Sequence, residues 1–182
     1  LLKLIDLGWV NLEGVYGSKK ALNMCRRYDI SPGNFKANEG NYSWPVMNRE
    51  LHGFLDSDEL LGVITGYFKG LYGKMPVLQT IPNIVVTKPS LEQQDFIHGK
   101  HRFPAVWHTD YPTEFTVHLP LCEINASTPH TKYIETSHRH LSGGHARAQP
   151  DADTSPDYKD KKVAECFAEP GDAILLDVTG LH

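Results

Sequence analysis

The sequence predicts a fold that is mainly β with flanking helices, in the form of a sandwich or jelly roll. Residues 76–182 contain short apolar segments separated by turn residues, whereas residues 1–75 contain helical periodicity. Short strands that follow a helical N-terminal part are typical of a β core with helices packed on one side. The predicted core strands are 77–86, 114–121, 132–135, 163–168 and 173–178.

A short strand and a helix are predicted near the start of the chain. Gly8 ends a short apolar segment, and Trp9–Leu12 alternates between apolar and polar residues as a strand does. Ser18 is a typical N-cap residue, and it predicts a helix that continues through Cys25. Residues 32–45, which are rich in Asn and Gly, are predicted to form a loop.

The clearest helix is predicted to begin at Asp56 or Ser57. Glu59 lies in its first turn, and Gly70 and Gly73 mark its end. Apolar residues keep helical spacing along one face of this helix, as expected for packing on a core. These residues are Leu60, Leu61, Ile64, Phe68 and Leu71.

Composition and charge are those of an ordinary globular domain. The chain has 182 residues, 40% hydrophobic and 22% charged, so a single domain over 1–182 is expected. The net charge of −4 gives no reason to expect nucleic acid or an anionic membrane as a partner. No apolar run has the length of a membrane span. Three widely spaced cysteines form neither a disulfide framework nor a zinc knuckle, so a cytoplasmic location is expected.

Ten histidines are many for a chain of this length, and histidine is the commonest metal ligand in proteins. His108 and Asp110 are two residues apart, and on a strand such residues point to the same face and can reach one cation. Roughly one His-x-acid pair is expected by chance at this composition, so the pair alone is weak evidence. His182 follows a different predicted strand. Two histidines and one carboxylate leave positions open on a metal, which is typical of non-haem Fe(II) oxygenases.

Four segments give this pair a context. Residues 8–15 resemble the strand and turn that open such an oxygenase fold. Trp107-His108-Thr109-Asp110 resembles an iron-binding strand. Residues 171–177, followed by His182, resemble the strand that precedes a second, distal histidine ligand. Residues 132–138 end in Ser137-His138 but carry Glu135-Thr136 where the related motif has Pro-Gly. Together the segments resemble the phytanoyl-CoA dioxygenase-like branch of the Fe(II)/2-oxoglutarate-dependent oxygenases.

The resemblance implies a double-stranded β-helix, a cupin-like jelly roll, with His108, Asp110 and His182 facing inward as the metal ligands. It implies Fe(II), 2-oxoglutarate and dioxygen as cofactor and co-substrates, and no catalytic residue beyond the ligands. The expected reaction is hydroxylation of a small molecule with decarboxylation of 2-oxoglutarate to succinate. Halogenating relatives lack the carboxylate ligand, so Asp110 favours hydroxylation.

The family anchors 2-oxoglutarate with a basic residue on the strand after the distal histidine. The sequence ends at His182, so the resemblance implies either a core that is truncated there, with the anchor beyond it, or an anchor that lies elsewhere. Lys88 and Arg102 are basic residues upstream of the site, but neither occupies the family position.

Further candidates surround the expected ligands. Thr116 and His118 share one face of their strand, and they either contact the co-substrate or face solvent. Trp107, Arg102 and His101 are candidates for substrate binding. The alternatives are core packing for Trp107 and a solvated loop for His98, His101 and Arg102.

Three other segments receive structural interpretations. His138 is expected to pack near the core and His140 to face solvent, so this His-x-His pair is not expected to form a second metal site. Residues 149–162 are predicted to be a surface excursion. Asp172 is predicted to shape the turn before the last strand.

Two other classes of function remain open. One is a cupin-type isomerase or hydrolase with Zn or Mn at the same site, and the other is a non-catalytic binding domain on the same fold. The loops expected to line the pocket, 34–44 and 93–104, carry no recognisable substrate code. The sequence therefore assigns neither a substrate, nor an oligomeric state, nor a pathway.

Overall fold

The computed structural model of the chain describes residues 1–27, 42–45, 57–77, 83–86, 107–111, 114–128, 130–139, 147–149 and 152–182. The helices within these ranges are α1 (Leu2–Leu7), α2 (Ser18–Arg27) and α3 (Asp58–Tyr72). The strands are β1 (Trp9–Leu12), β2 (Tyr42–Pro45), β3 (Asn83–Val86), β4 (His108–Thr109), β5 (Phe115–His118), β6 (Lys132–Ile134), β7 (Arg147–Ala148), β8 (Val163–Glu165) and β9 (Ala173–Asp177).

Strand β9 is the centre of a three-stranded antiparallel sheet with the order β1-β9-β5. Leu175 of β9 is opposite Val10 of β1 on one side and Val117 of β5 on the other. All five residues of β9 are buried. Because both faces of the strand are covered, its first four residues form a continuous apolar run instead of alternating with polar ones.

One face of this sheet packs against the N-terminal helices. Ala173 and Leu175 of β9 belong to a buried cluster with Leu4 of α1 and with Leu60 and Tyr67 of α3. The partly buried residues that complete the layer come from these helices, from β1 and from the region around β5: Ile5, Leu12, Val15, Val63, Ile64, Phe68, Phe115, Val117 and Leu119.

The other face of the sheet packs against β6 and β8. Ile174 and Leu176 form a buried cluster with Tyr133 of β6 and Ala164 of β8. Strands β6 and β8 are antiparallel, with Tyr133 opposite Ala164. Successive residues of β9 therefore alternate between the helical layer and a second β layer, which confirms a β-rich core with helices on one side.

Helix α3 begins and ends as the sequence predicts. Ser57 is its N-cap, and the Ser57 hydroxyl accepts a hydrogen bond from the Leu60 amide at 3.3 Å. Gly73 ends the helix with φ of 63°, a left-handed conformation that glycine adopts without steric cost. Gly70, the other predicted end marker, lies within the helix. No helix in the described ranges has the length and hydrophobicity needed to cross a bilayer.

Two predictions of irregular structure were wrong in part. The predicted loop 32–45 contains strand β2, which pairs with β3 over four residues. The predicted surface excursion 149–162 buries Ala152 and Tyr158 in a cluster with Ile134 and Leu181. In both cases the stabilising contacts come from residues distant in sequence, which local composition does not encode. Of the predicted strand 77–86, β3 is confirmed, Val77 is exposed outside any strand, and residues 78–82 lie outside the described ranges.

Thr136 has an unusual backbone conformation next to β6. Its φ is 68°, in the left-handed region, which disfavours β-branched residues. Glycine, which the similar sequence motif carries at this position, adopts this conformation without steric cost. The Thr136 amide donates to the Leu7 carbonyl at 3.0 Å, and this bond holds the turn against the end of α1.

We expect Thr136→Gly to stabilise the protein by about 0.5–1 kcal/mol, because relief of roughly 1–2 kcal/mol of left-handed strain exceeds the added entropy of glycine in the unfolded chain. Denaturant unfolding measures the change. Thr131→Gly is the control, since Thr131 does not have positive φ, and this variant should be less stable than the parent. If Thr136→Gly lost as much stability as the control, the claim that the backbone at Thr136 is strained would be wrong.

Asp172 shapes the turn before β9, as predicted. Its Oδ1 accepts the Gly14 amide at 2.8 Å, and its Oδ2 accepts Asn11 Nδ2 at 3.0 Å and the Glu169 amide at 2.9 Å. Burial alone would raise the pKa of this carboxyl. The hydrogen bonds from Asn11, Gly14 and Glu169 outweigh burial and lower the Asp172 pKa below its ordinary value.

We expect Asp172→Asn to lower the free energy of unfolding by about 1–3 kcal/mol at pH 7, because the amide NH₂ must face a donor. A carboxyl with a lowered folded pKa stabilises the protein above its unfolded pKa, so the difference between parent and variant should shrink as the pH falls below about 4. Urea unfolding across this pH range measures both effects. The exposed Asp160→Asn is the control, and a difference for Asp172→Asn that does not change with pH would exclude this assignment.

Candidate metal centre

His108 and His182 are joined through their backbones. The His108 amide donates to the His182 carbonyl at 3.0 Å, and the His182 amide donates to the His108 carbonyl at 3.0 Å. Two residues that exchange both hydrogen bonds are directly opposite each other in an antiparallel pair, and their side chains point to the same face. The Asp110 amide donates to the Val178 carbonyl at 2.8 Å, so Asp110 is attached to the same returning segment.

The segment that carries His182 lies between β4 and β6. The Leu181 carbonyl accepts the Ile134 amide at 2.9 Å, while His182 pairs with β4 on the other side. The Ser137 hydroxyl accepts the Leu181 amide at 2.8 Å. The position of the last histidine is therefore fixed by hydrogen bonds from three parts of the chain.

The three predicted ligands converge in space. One side-chain donor atom of each of His108, Asp110 and His182 lies within 4.8 Å of the others. The two imidazole rings have centroids 4.3 Å apart, and His182 Nε2 is 3.6 Å from Asp110 Oδ2. Among the residues that the structure describes, this is the one group of three His, Cys, Asp or Glu side chains so arranged. The structure therefore brings the three residues together, and their role as metal ligands stays a prediction.

A hydrogen bond to the backbone fixes the orientation of the His182 ring. His182 Nδ1 is 3.1 Å from the Gly180 carbonyl oxygen, which can only accept, so Nδ1 carries a proton and donates it. The other nitrogen, Nε2, faces Asp110. A metal-binding histidine commonly donates its second ring N–H to a backbone carbonyl in this way, which fixes the ring orientation.

Asp110 supplies an anionic oxygen. The adjacent His182 imidazole, and to a smaller extent the charge of His108, lower the pKa of the Asp110 carboxyl, although partial burial acts in the opposite direction. The group is therefore ionised at neutral pH. Two imidazole nitrogens and one carboxylate oxygen at this spacing fit a divalent transition-metal ion such as Fe, Mn or Zn.

Thr116 and His118 lie on the sheet face opposite the helices. They are opposite Leu176 and Ile174, whose side chains pack toward the second β layer. Burial, and to a smaller extent the charge of His182, lowers the pKa of His118 to about 4, so its imidazole is neutral at pH 7. The orientation of both residues is compatible with the predicted contact to a co-substrate, which stays a prediction.

Among the other residues singled out in the sequence, Trp107 and His138 lie within the described part of the structure. Trp107 packs against the cluster of Ile134 and Leu181, as the core interpretation predicts, and its role in substrate binding stays a prediction. His138 Nε2 is 3.0 Å from the Ile5 carbonyl oxygen, which confirms its structural interpretation. The remaining candidates lie outside the described residues: Lys88, His98, His101, Arg102 and His140.

Sequence reasoning missed the turn that connects β9 to His182. Asp177 accepts hydrogen bonds from Tyr67 and from Thr179, and Gly180 packs so closely against Tyr133 that a Cβ would overlap the Tyr133 hydroxyl. One signal was available: Asp177 is the single charged residue of an otherwise apolar strand, and it precedes Val-Thr-Gly, which is typical of a side-chain-stabilised turn. The contribution of Tyr67 has no local signal.

Comparison with known proteins identifies the fold. No family model matches the sequence, and no curated protein is significantly similar to it. The structure is similar to the epimerase SnoN in complex with Fe3+, alpha ketoglutarate and nogalamycin RO, with a TM-score of 0.61 and 13% identity over 99% of this chain and 73% of SnoN.

Two further solved structures are similar over nearly the whole chain. The carbocyclase SnoK from nogalamycin biosynthesis has a TM-score of 0.59 and 15% identity over 99% of this chain and 74% of SnoK. HygX from Streptomyces hygroscopicus with nickel, 2-oxoglutarate and hygromycin B has a TM-score of 0.60 and 10% identity over 98% of this chain and 77% of HygX. The chain therefore has the fold of these non-haem enzymes.

We expect Gly180→Ala to destabilise the protein by about 1–3 kcal/mol and to weaken binding of a divalent cation, because the added methyl group displaces the turn that holds His182. Thermal unfolding and titration with Co(II) measure the two effects. Gly62→Ala in α3 is the control, since a Cβ at Gly62 would meet no atom within 4 Å, and this variant should keep the parent's Co(II) affinity. Parent stability and parent Co(II) affinity in Gly180→Ala would contradict the proposed overlap.

Proposed function

We propose that the protein is a non-haem iron enzyme that uses Fe(II), 2-oxoglutarate and dioxygen to hydroxylate a small molecule, with decarboxylation of 2-oxoglutarate to succinate. The observation that carries this proposal is the convergence of His108, Asp110 and His182 within 4.8 Å. We also propose that the protein belongs to the phytanoyl-CoA dioxygenase-like branch, on the strength of the four sequence segments.

The donor set supports iron with exchangeable positions. His108, Asp110 and His182 would hold the ion, and three protein ligands leave positions for a bidentate co-substrate and for dioxygen. When bound, Fe(II) would supply the redox chemistry that activates dioxygen. The chain itself would fix the ligands through the pairing of β4 with the segment that carries His182, and it would keep Asp110 ionised. Strand β5 would contribute Thr116 and His118.

The similar structures support the co-substrate and the class of substrate. SnoN and HygX were crystallised with alpha ketoglutarate or 2-oxoglutarate, and with nogalamycin RO or hygromycin B. SnoN is described as an epimerase and SnoK as a carbocyclase, so this fold also supports reactions other than hydroxylation. We propose hydroxylation instead of halogenation because Asp110 supplies the carboxylate that halogenating relatives lack. Analysis of the reaction products distinguishes hydroxylation from epimerisation and cyclisation.

The decisive experiment is an anaerobic titration with Fe(II) followed by 2-oxoglutarate, monitored for the visible charge-transfer band of the iron chelate. We expect the band in the parent protein. Asp110→Ala should lower iron affinity by at least about 100-fold and abolish the band, because it removes a direct ligand. His130→Ala is the matched histidine control: His130 lies beside Glu165, away from the ligands, and its loss should leave the band unchanged.

The alternative outcomes separate the other candidate functions. Bound iron without a band would exclude chelation of 2-oxoglutarate by this chain and favour the non-catalytic binding domain. Preferential binding of Zn or Mn, with turnover independent of dioxygen, would favour a cupin-type isomerase or hydrolase. Normal iron binding by Asp110→Ala would exclude the assigned metal centre.

A further inference from the structure

A buried carboxylate lies at the end of β9, next to the turn that leads to His182. Asp177 is 3% exposed and Tyr67 of α3 is 1% exposed. The Tyr67 hydroxyl donates to Asp177 Oδ2. The Thr179 amide and hydroxyl donate to Asp177 Oδ1 at 3.0 Å and 2.5 Å. Burial and the charge of Asp177 raise the pKa of Tyr67, so the phenol keeps the proton that it donates.

The backbone of Asp177 is fixed as firmly as its side chain. Its carbonyl oxygen accepts the Tyr133 hydroxyl at 2.8 Å and the Gly180 amide at 3.0 Å. Its amide donates to the Gly8 carbonyl at 2.8 Å. The turn 177–180 is therefore held by groups from α3, β6 and the end of α1.

The same turn contacts two of the three metal ligands. The Val178 carbonyl accepts the Asp110 amide at 2.8 Å. The Gly180 carbonyl faces His182 Nδ1 at 3.1 Å. A movement of the turn would therefore move Asp110 and rotate the His182 ring, although neither Asp177 nor Tyr67 contacts the ligands.

We propose that Tyr67 and Asp177 are positioning residues for the metal centre, which act through the turn 177–180. The inference rests on the proposed function, since it assigns a role toward the metal that His108, Asp110 and His182 would hold. Helix α3, which belongs to the helical layer, thereby contributes to the geometry of a site in the β layers.

Stability alone does not account for this carboxylate. The first four residues of β9 are apolar and buried, and a well-packed apolar residue is commonly as stabilising as a buried charged group, or more so. A carboxylate that accepts three hydrogen bonds in fixed directions orients a turn more sharply than an apolar side chain does. The cost of burying Asp177 is consistent with a requirement for a defined turn beside the ligands.

The experiment compares four proteins by anaerobic Co(II) titration, by the Co(II) visible spectrum and by thermal unfolding of the metal-free form. Tyr67→Phe removes one donor and keeps the ring. Asp177→Asn is the conservative variant: its amide oxygen can accept from Thr179, and its NH₂ can donate to the Tyr67 oxygen. Leu60→Ala is the structural control, because Leu60 is buried in the same helical layer without touching the turn.

We expect Tyr67→Phe to weaken Co(II) binding by about tenfold and to alter the visible spectrum, in the lower part of the range found when outer-sphere partners of metal ligands are removed. Asp177→Asn should bind Co(II) more tightly than Tyr67→Phe. Leu60→Ala should have a lower melting temperature than Tyr67→Phe, yet bind Co(II) with the parent affinity and spectrum at a temperature where it is folded.

Three other results would contradict the inference or the proposed function. Parent affinity and spectrum in Tyr67→Phe would overturn the inference and leave the proposed function intact. Equal loss of affinity in Leu60→Ala and Tyr67→Phe would reduce the role of Tyr67 to stability, and would also overturn the inference. Failure of the parent protein itself to bind Co(II) would overturn the proposed function and the inference together.

Discussion

The burial of β9 on both faces is the constraint on which the rest of the structure depends. A strand covered on one side by helices and on the other by strands is expected to be mainly apolar, and residues 173–176 are apolar and buried. Leu175 joins the strand to the helical layer, and Ile174 and Leu176 join it to the second β layer. Because β9 also pairs with β1 and β5, its position determines the relative placement of both layers.

The position of the candidate metal centre follows from where β9 ends. The chain leaves the sheet at Asp177, turns within 177–180, and returns between β4 and β6, where His182 pairs with His108. A buried strand is a rigid origin for this turn, and hydrogen bonds from Tyr67 and Tyr133 hold Asp177 at its start. Asp110, one of the three candidate ligands, is partly exposed.

The similarity to SnoN, SnoK and HygX is structural much more than sequential. Identity is between 10% and 15% for these structures, although the alignments cover 98% or more of the chain. Many combinations of apolar residues fill the same core, so packing conserves the arrangement of strands without conserving the side chains. A metal site restricts far fewer positions, and those positions are restricted by chemistry. The three residues of the candidate site could therefore be selected in a sequence that matches no family model.

The sequence by itself determined the local features. Ser57 and Gly73 predicted the limits of α3 within two residues, because caps are local hydrogen-bonding and backbone effects. The spacing of His108 and Asp110 predicted a shared strand face, because the side-chain period of a strand is two. Glu135-Thr136 marked a departure from the related motif, and Thr136 has the positive φ that glycine would have accommodated.

Only the tertiary structure decided which distant residues meet. The pairing of His182 with His108, the pairing of Tyr42–Pro45 with β3, and the contact of Tyr67 with Asp177 join residues that are 38 to 110 positions apart. Such contacts depend on the tertiary topology of the chain, and neither local periodicity nor local propensity predicts that topology. For this reason the sequence could predict which residues are candidate ligands. Only the fold could reveal the turn 177–180, which positions Asp110 and His182.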